Sequence, residues 1–61
     1  MTEREKLERE IYELTRIIGM DMAALRSRST SDRDRGILQQ AVELRTAELR
    51  RLNQKLAALS N

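Results

Sequence analysis

The side chains that most often perform catalysis are scarce in this chain. It has 61 residues with neither His nor Cys, so a group that transfers a proton near neutral pH would have to be a carboxylate, a lysine or Tyr12. The carboxylates of the first segment alternate with Arg and Lys, which is typical of ion pairs on an exposed helix. No glycine-rich phosphate loop, nucleophile motif or metal-ligand spacing is present. We therefore expect no enzyme activity, no catalytic or metal-binding residue and no cofactor.

Phosphate binding is the other chemistry that the residue types would allow. The segment RSRSTSDRDR has no apolar side chain and contains four arginines: Arg26, Arg28, Arg33 and Arg35. Asp32 and Asp34 lie among them, and the whole chain has a formal net charge of only +2. Aromatic side chains on which bases could stack are missing apart from Tyr12. We interpret the segment as a turn whose charges suit the ends of two helices.

Nucleic-acid binding stays open as the alternative function. In that case the protein would be a dimeric regulator that contacts RNA or DNA phosphates through arginines. The four arginines around the turn would then be joined by three on the second helix: Arg45, Arg50 and Arg51.

A first helix is indicated by a start signal and a periodic apolar pattern. Thr2 and Glu5 have the spacing of a capping box, which places the start at residue 3. Apolar residues then recur in steps close to three and four: Leu7, Ile11, Leu14, Ile18, Met22 and Leu25. The pattern predicts a helix over residues 3–28.

A second helix follows a short polar bend. Ser31 and Asp34 have the spacing of a weaker capping box, which predicts a bend at 29–32 and a helix at 32–59. Its apolar positions repeat the same rhythm: Leu38, Val42, Leu49, Leu52, Leu56 and Leu59. Because the connection is short and the helices are similar in length, the sequence predicts an all-α fold. We expect an antiparallel two-helix hairpin of coiled-coil type, in one domain over residues 1–61.

Six apolar residues near the bend lie outside the seam, the stripe along which the two helices contact each other. With the seam at heptad positions a and d, three of them fall at g and three at c, on one side of an antiparallel pair. They should therefore share one face of the hairpin, at the end that carries the bend. We call them the bend-end patch: Ile17, Met20, Ala24, Ile37, Ala41 and Leu44.

The bend-end patch predicts a protein partner. A chain this short buries only a modest fraction of its surface and has no Cys for disulfides. We expect the patch to close a homodimer, which would be a four-helix bundle; the alternative is a different protein on the same face. The expected function is a small non-catalytic interaction module, such as an adaptor, an inhibitor or an assembly subunit.

Two charged residues interrupt the seam. Asp21 and Arg45 stand where apolar residues are expected, about one helical turn out of register with each other. Either each side chain extends outward to solvent, or the two form a polar pair that fixes register or partner choice. Gly19 and Gly36 lie inside the predicted helices, where each costs up to about 1 kcal/mol relative to Ala. We therefore expect close backbone packing at both glycines.

The expected location is the cytoplasm, without membrane contact. No apolar run approaches the length that spans a bilayer, and the first residues, MTEREKLERE, are too charged for a signal peptide. The polar faces of both helices mix charges of both signs, whereas a helix that binds a membrane surface is usually basic on its polar face.

Overall fold

The computed structural model of the chain describes residues 1–60 and consists of two α-helices. Helix α1 spans Glu3–Arg26 and helix α2 spans Asp32–Ser60, and this part of the chain contains no strand. With 29 residues, α2 is about 44 Å long at the usual rise per residue. The whole molecule measures 44 × 17 × 13 Å, so α1 must fold back alongside α2. The predicted hairpin is confirmed; the predicted domain also includes Asn61, which lies outside the described residues.

Helix α1 begins with the capping box that the sequence predicts. The backbone N–H of Glu5 donates to Thr2 Oγ1 at 3.1 Å, and the N–H of Thr2 donates to Glu5 Oε1 at 3.3 Å. The carboxylates of Glu3 and Glu5 lie in the first turn, where the positive end of the helix dipole favours them. Residues adjacent in sequence therefore determine this end of the helix.

Helix α1 ends at Arg26, earlier than the predicted residue 28. Ser27 has an extended backbone, with φ −73° and ψ 135°, and its N–H donates to the carbonyl of Ala24 at 3.1 Å. The Thr30 hydroxyl donates to the same carbonyl at 2.7 Å. In a longer helix this carbonyl would accept the N–H of Arg28, so the Thr30 side chain takes the place of the next turn. The bend consequently covers residues 27–31.

Arg35 joins the two sides of the bend. Its Nη2 donates to the carbonyl of Ser27 at 3.0 Å, and its Nε donates to the carbonyl of Thr30 at 3.4 Å. Ser31 Oγ accepts the N–H of Asp34 at 3.2 Å, as expected of an N-cap residue. These bonds satisfy carbonyls of the bend and hold the first turn of α2 against it.

Contact between two helices buries very little of this chain. Among the described side chains, only the apolar groups of Leu7 and Leu52 are buried, with 8% and 3% exposure. The other predicted seam residues are half-buried, except that Met22 and Leu59 are 47% and 45% exposed. The sequence offers both Asp21 and Met22 at this point of the seam, and the structure places Asp21 there, with 16% of its side chain exposed. A single hairpin has no second layer to cover its sides.

Both glycines lie in open surroundings. A Cβ built on Gly19 or Gly36 would meet no atom within 4 Å beyond the adjacent backbone, and neither residue has a positive φ. The expectation of close backbone packing at these two positions is therefore wrong within this chain. Helical phase places both glycines on the side of the hairpin opposite the bend-end patch.

Replacing each glycine with alanine should stabilise the hairpin. G19A and G36A are each expected to raise the free energy of unfolding by about 0.5–1 kcal/mol, because Ala loses less backbone freedom in a helix. Urea unfolding at one fixed protein concentration measures the change. A lower free energy of unfolding in either variant would mean that another chain occupies the space beside that glycine.

Arg35→Ala should destabilise the protein more than Arg33→Ala. The loss is expected to be about 1–2 kcal/mol, since two carbonyls of the bend lose a charged hydrogen-bond donor. Arg33 is exposed in the same turn of α2 and provides the matched control. Thermal unfolding followed by circular dichroism compares the two variants. Equal melting temperatures would contradict a structural role for Arg35.

Candidate interaction face

The bend-end patch forms one apolar area on the surface of the hairpin. Its three large exposed side chains are Met20 at 63%, Ile37 at 59% and Leu44 at 68%. The other three members are half-buried: Ile17, Ala24 and Ala41. Helical phase puts all six on one side, since positions c and g of both helices point the same way in an antiparallel pair. The single hairpin therefore leaves three large apolar side chains of one face in water.

Exposed apolar residues on the opposite side are isolated from each other. Tyr12 is 68% exposed and Met22 is 47% exposed. They are ten positions apart on α1, which corresponds to about 15 Å along the helix axis. Across from them, α2 carries polar residues: Gln39, Glu43, Thr46, Arg50 and Asn53. Single exposed hydrophobic residues of this kind are common on protein surfaces.

A groove extends from the bend-end patch toward the open end of the hairpin. Next to the patch it has an apolar floor of Leu14, Ile17 and Leu52. Its charged rim there consists of Arg9, Glu10, Glu13 and Glu48. Nearer the termini it is lined by Glu3, Lys6, Leu7, Glu10, Arg51, Leu52 and Lys55. This groove was not among the features expected from the sequence, although nearly all of its residues occupy the c, d and g positions on the patch side.

Both helices contribute charges of both signs along the groove. Those of α1 are Glu3, Lys6, Arg9, Glu10 and Glu13, and those of α2 are Glu48, Arg51 and Lys55. The excess is negative on α1 and positive on α2. Arg51 also donates from Nε to Glu48 Oε2 at 3.0 Å and from Nη2 to Oε1. These hydrogen bonds, together with the charges of Arg51 and Lys55, lower the pKa of Glu48 despite partial desolvation. Glu48 in turn raises the pKa of Arg51, so both groups are charged at neutral pH.

Asp21 and Arg45 meet at the edge of the seam. Arg45 Nη1 donates to Asp21 Oδ2, with 39% of the Arg45 side chain and 16% of the Asp21 side chain exposed. The two charges that interrupt the seam are therefore held together rather than directed separately to solvent. No buried side-chain N or O atom in the described part of the chain lacks a partner. A half-buried pair adds little net stability, but it disfavours alignments that separate the charges.

Several arginines considered for phosphate contact already have partners within the chain. Arg35 donates to carbonyls of the bend, Arg45 to Asp21 and Arg51 to Glu48. The remaining candidates are exposed: Arg26, Arg28, Arg33 and Arg50. The hairpin therefore offers fewer free guanidinium groups to a phosphate than the sequence pattern suggests.

The described residues show no site for a metal ion. No group of three or more His, Cys, Asp or Glu side chains that could hold one occurs within residues 1–60. Over the same residues, neither helix has a stretch that is both long and apolar enough to cross a bilayer.

Comparison with known proteins identified no relative: no family model, no curated protein and no solved structure matches the chain.

Replacing both Asp21 and Arg45 by leucine should make the fold more stable but its oligomeric state less specific. Asp21→Leu/Arg45→Leu is expected to raise the free energy of unfolding by roughly 1–2 kcal/mol, because two half-buried charges are exchanged for apolar contacts. The same variant should populate more than one oligomeric state, since any alignment now satisfies the seam. Sedimentation velocity compared with the native chain measures this effect. An assembly identical to that of the native chain would contradict a role of the pair in specificity.

Proposed function

We propose that this protein is a small non-catalytic interaction module that forms a homodimer through the bend-end patch. The observation that supports the proposal is the exposure of Met20, Ile37 and Leu44 on a single face. Burying each of these side chains would contribute roughly 1–2 kcal/mol. That sum is a large part of the stability that a chain of this length can have. A second hairpin on this face would complete a four-helix bundle.

A second copy is preferred to a different protein because the single hairpin has almost no core. Only Leu7 and Leu52 are buried among the described apolar side chains, so a second layer is needed whenever the chain folds. Another copy of the same chain is available at that moment, whereas a different partner has to be present separately. The dimer would act in the cytoplasm as an adaptor, an inhibitor or an assembly subunit, through the faces that remain outside.

RNA or DNA binding is less well supported as the function. Among the seven arginines considered for phosphate contact, three are engaged within the chain: Arg35, Arg45 and Arg51. Among the exposed arginines near the bend, Arg33 lies between Asp32 and Asp34, which lowers the local positive potential. Mobility-shift assays at low salt with RNA and DNA should therefore show no retardation of the nucleic acid.

Two matched double variants test the proposed face. Met20→Gln/Leu44→Gln removes two exposed apolar side chains from the patch, and Tyr12→Gln/Met22→Gln removes two from the opposite side. The patch variant should raise the dissociation constant of the dimer at least about 100-fold, because four apolar side chains are lost per dimer. The control variant should leave the dissociation constant within about twofold. Sedimentation equilibrium across the micromolar range measures both.

Two outcomes would overturn the proposal. A native chain that stays a stable monomer at micromolar concentration would exclude the homodimer and leave a different protein as the partner of this face. Equal weakening by both double variants would show that the dimer exists but does not use the bend-end patch.

A further inference from the structure

We infer that the two hairpins of the dimer stack with their bends at the same end, so that α1 of each copy lies on α2 of the other. This inference rests on the proposed homodimer and specifies its arrangement. Stacking two hairpins face to face allows one alternative, with the bends at opposite ends and each helix on its own counterpart. Three observations distinguish the two arrangements: the heights of the patch residues, the charges of the groove and the area that can be covered.

Two of the large patch residues, Met20 and Leu44, lie at about the same height on the two helices. Ile17 and Glu48 line the same part of the groove, which sets the register between the antiparallel helices. About one turn closer to the bend, Met20 on α1 is level with Leu44 on α2. With the bends together, the two-fold axis runs parallel to the helices. Each residue of α1 then faces the α2 residue of the same height, so Met20 meets the partner's Leu44.

Two pairs of unlike groove charges come together in this arrangement, among a rim that also includes Lys6, Arg9 and Glu48. By the same register, Glu13 on α1 is level with Arg51 on α2, and Glu10 is level with Lys55. With the bends together, Glu10 faces the partner's Lys55, and Glu13 faces the partner's Arg51, which keeps its bond to Glu48 of its own chain. With the bends at opposite ends, α1 lies on α1 and these four charges gain no opposite partner. Unlike charges across the rim favour the first arrangement and disfavour the second.

The area that can be covered also favours bends at the same end. Stacking along the full length of the 44 × 17 Å face would bury about 1,500 Å² in total, the size of a standard stable interface. The centre of the bend-end patch lies about 14 Å from the bend and about 30 Å from the open end. If the bends lay at opposite ends and the two patches contacted each other, the hairpins would overlap over only about 28 Å. The total buried area would then be about 950 Å², which is less than a standard stable interface buries.

Distances between spin labels on the two copies test the arrangement. The chain has no Cys, so one nitroxide can be attached to Ala57→Cys near the open end, on an exposed position away from the patch. Electron–electron double resonance should give about 30 Å between the two labels with the bends together, but about 50 Å with the bends apart. Gln40→Cys, exposed on the outer side of α2, serves as the control. Its labels lie within about 30 Å of each other in either arrangement.

The pattern of the two distances separates the inference from the proposed function. Short distances at both positions support the bends-together dimer. A short distance at residue 40 with a long one at residue 57 would keep the homodimer and overturn the arrangement. Absence of dipolar coupling at both positions would overturn the homodimer and the inference with it.

A double-mutant cycle provides a second test that is specific to the charged rim. Glu13→Gln and Arg51→Gln should each weaken the dimer, and their combination should weaken it by less than the product of the single effects. A coupling of about fivefold in the dissociation constant is expected, from two symmetric exposed ion pairs. The control cycle pairs Glu13→Gln with Arg50→Gln, since Arg50 neighbours Arg51 but points to the opposite side. Equal coupling in the two cycles would contradict the contact.

Discussion

Two helices can cover each other along only one stripe, and that constraint governs the whole molecule. In this hairpin the stripe buries Leu7 and Leu52, leaves most other seam residues half-buried and leaves Leu59 exposed. The sides of the hairpin must then be polar, or be covered by something else. One side satisfies the first condition, with Tyr12 and Met22 as isolated exceptions. The other side is polar only toward the open end. Near the bend it carries the exposed bend-end patch, which the proposed second layer would cover.

The bend shows how a cluster of charges can be used for structure. From its sequence alone, the arginine-rich segment could be taken for a phosphate-binding surface. In the folded chain, Thr30 donates to the carbonyl of Ala24 at the end of α1, and Arg35 donates to the carbonyls of Ser27 and Thr30 in the bend. Asp34 donates its backbone N–H to Ser31 at the start of α2. A polar segment of this kind ends one helix and starts the next. Part of its charge, the guanidinium of Arg35, bonds to the backbone and is less available to a ligand.

The ion pairs of the hairpin have more influence on arrangement than on stability. Exposed pairs such as Glu48 with Arg51 contribute little free energy in water. The half-buried pair of Asp21 and Arg45 replaces apolar contact in the seam, which is a cost rather than a gain. Both types of pair nevertheless penalise the wrong neighbour, because a misplaced charge meets a like charge or an apolar surface. In a chain with so small a core, this selectivity would restrict how copies combine.

The sequence by itself determined the features that depend on near neighbours and on periodicity. The capping box of Thr2 and Glu5, the two helices and their hairpin follow from spacing, and the bend-end patch follows from the helical phase of its residues. Its role as an interface stays a prediction. Tertiary structure decided the rest. Thr30 and Arg35 ended α1 early through bonds across the bend, and the contact with Arg45 decided between Asp21 and Met22 at the seam. Three further features depend on how the second helix lies against the first: the groove, the open space beside Gly19 and Gly36, and the pairing of Asp21 with Arg45. Residues that are far apart in sequence together determine that packing.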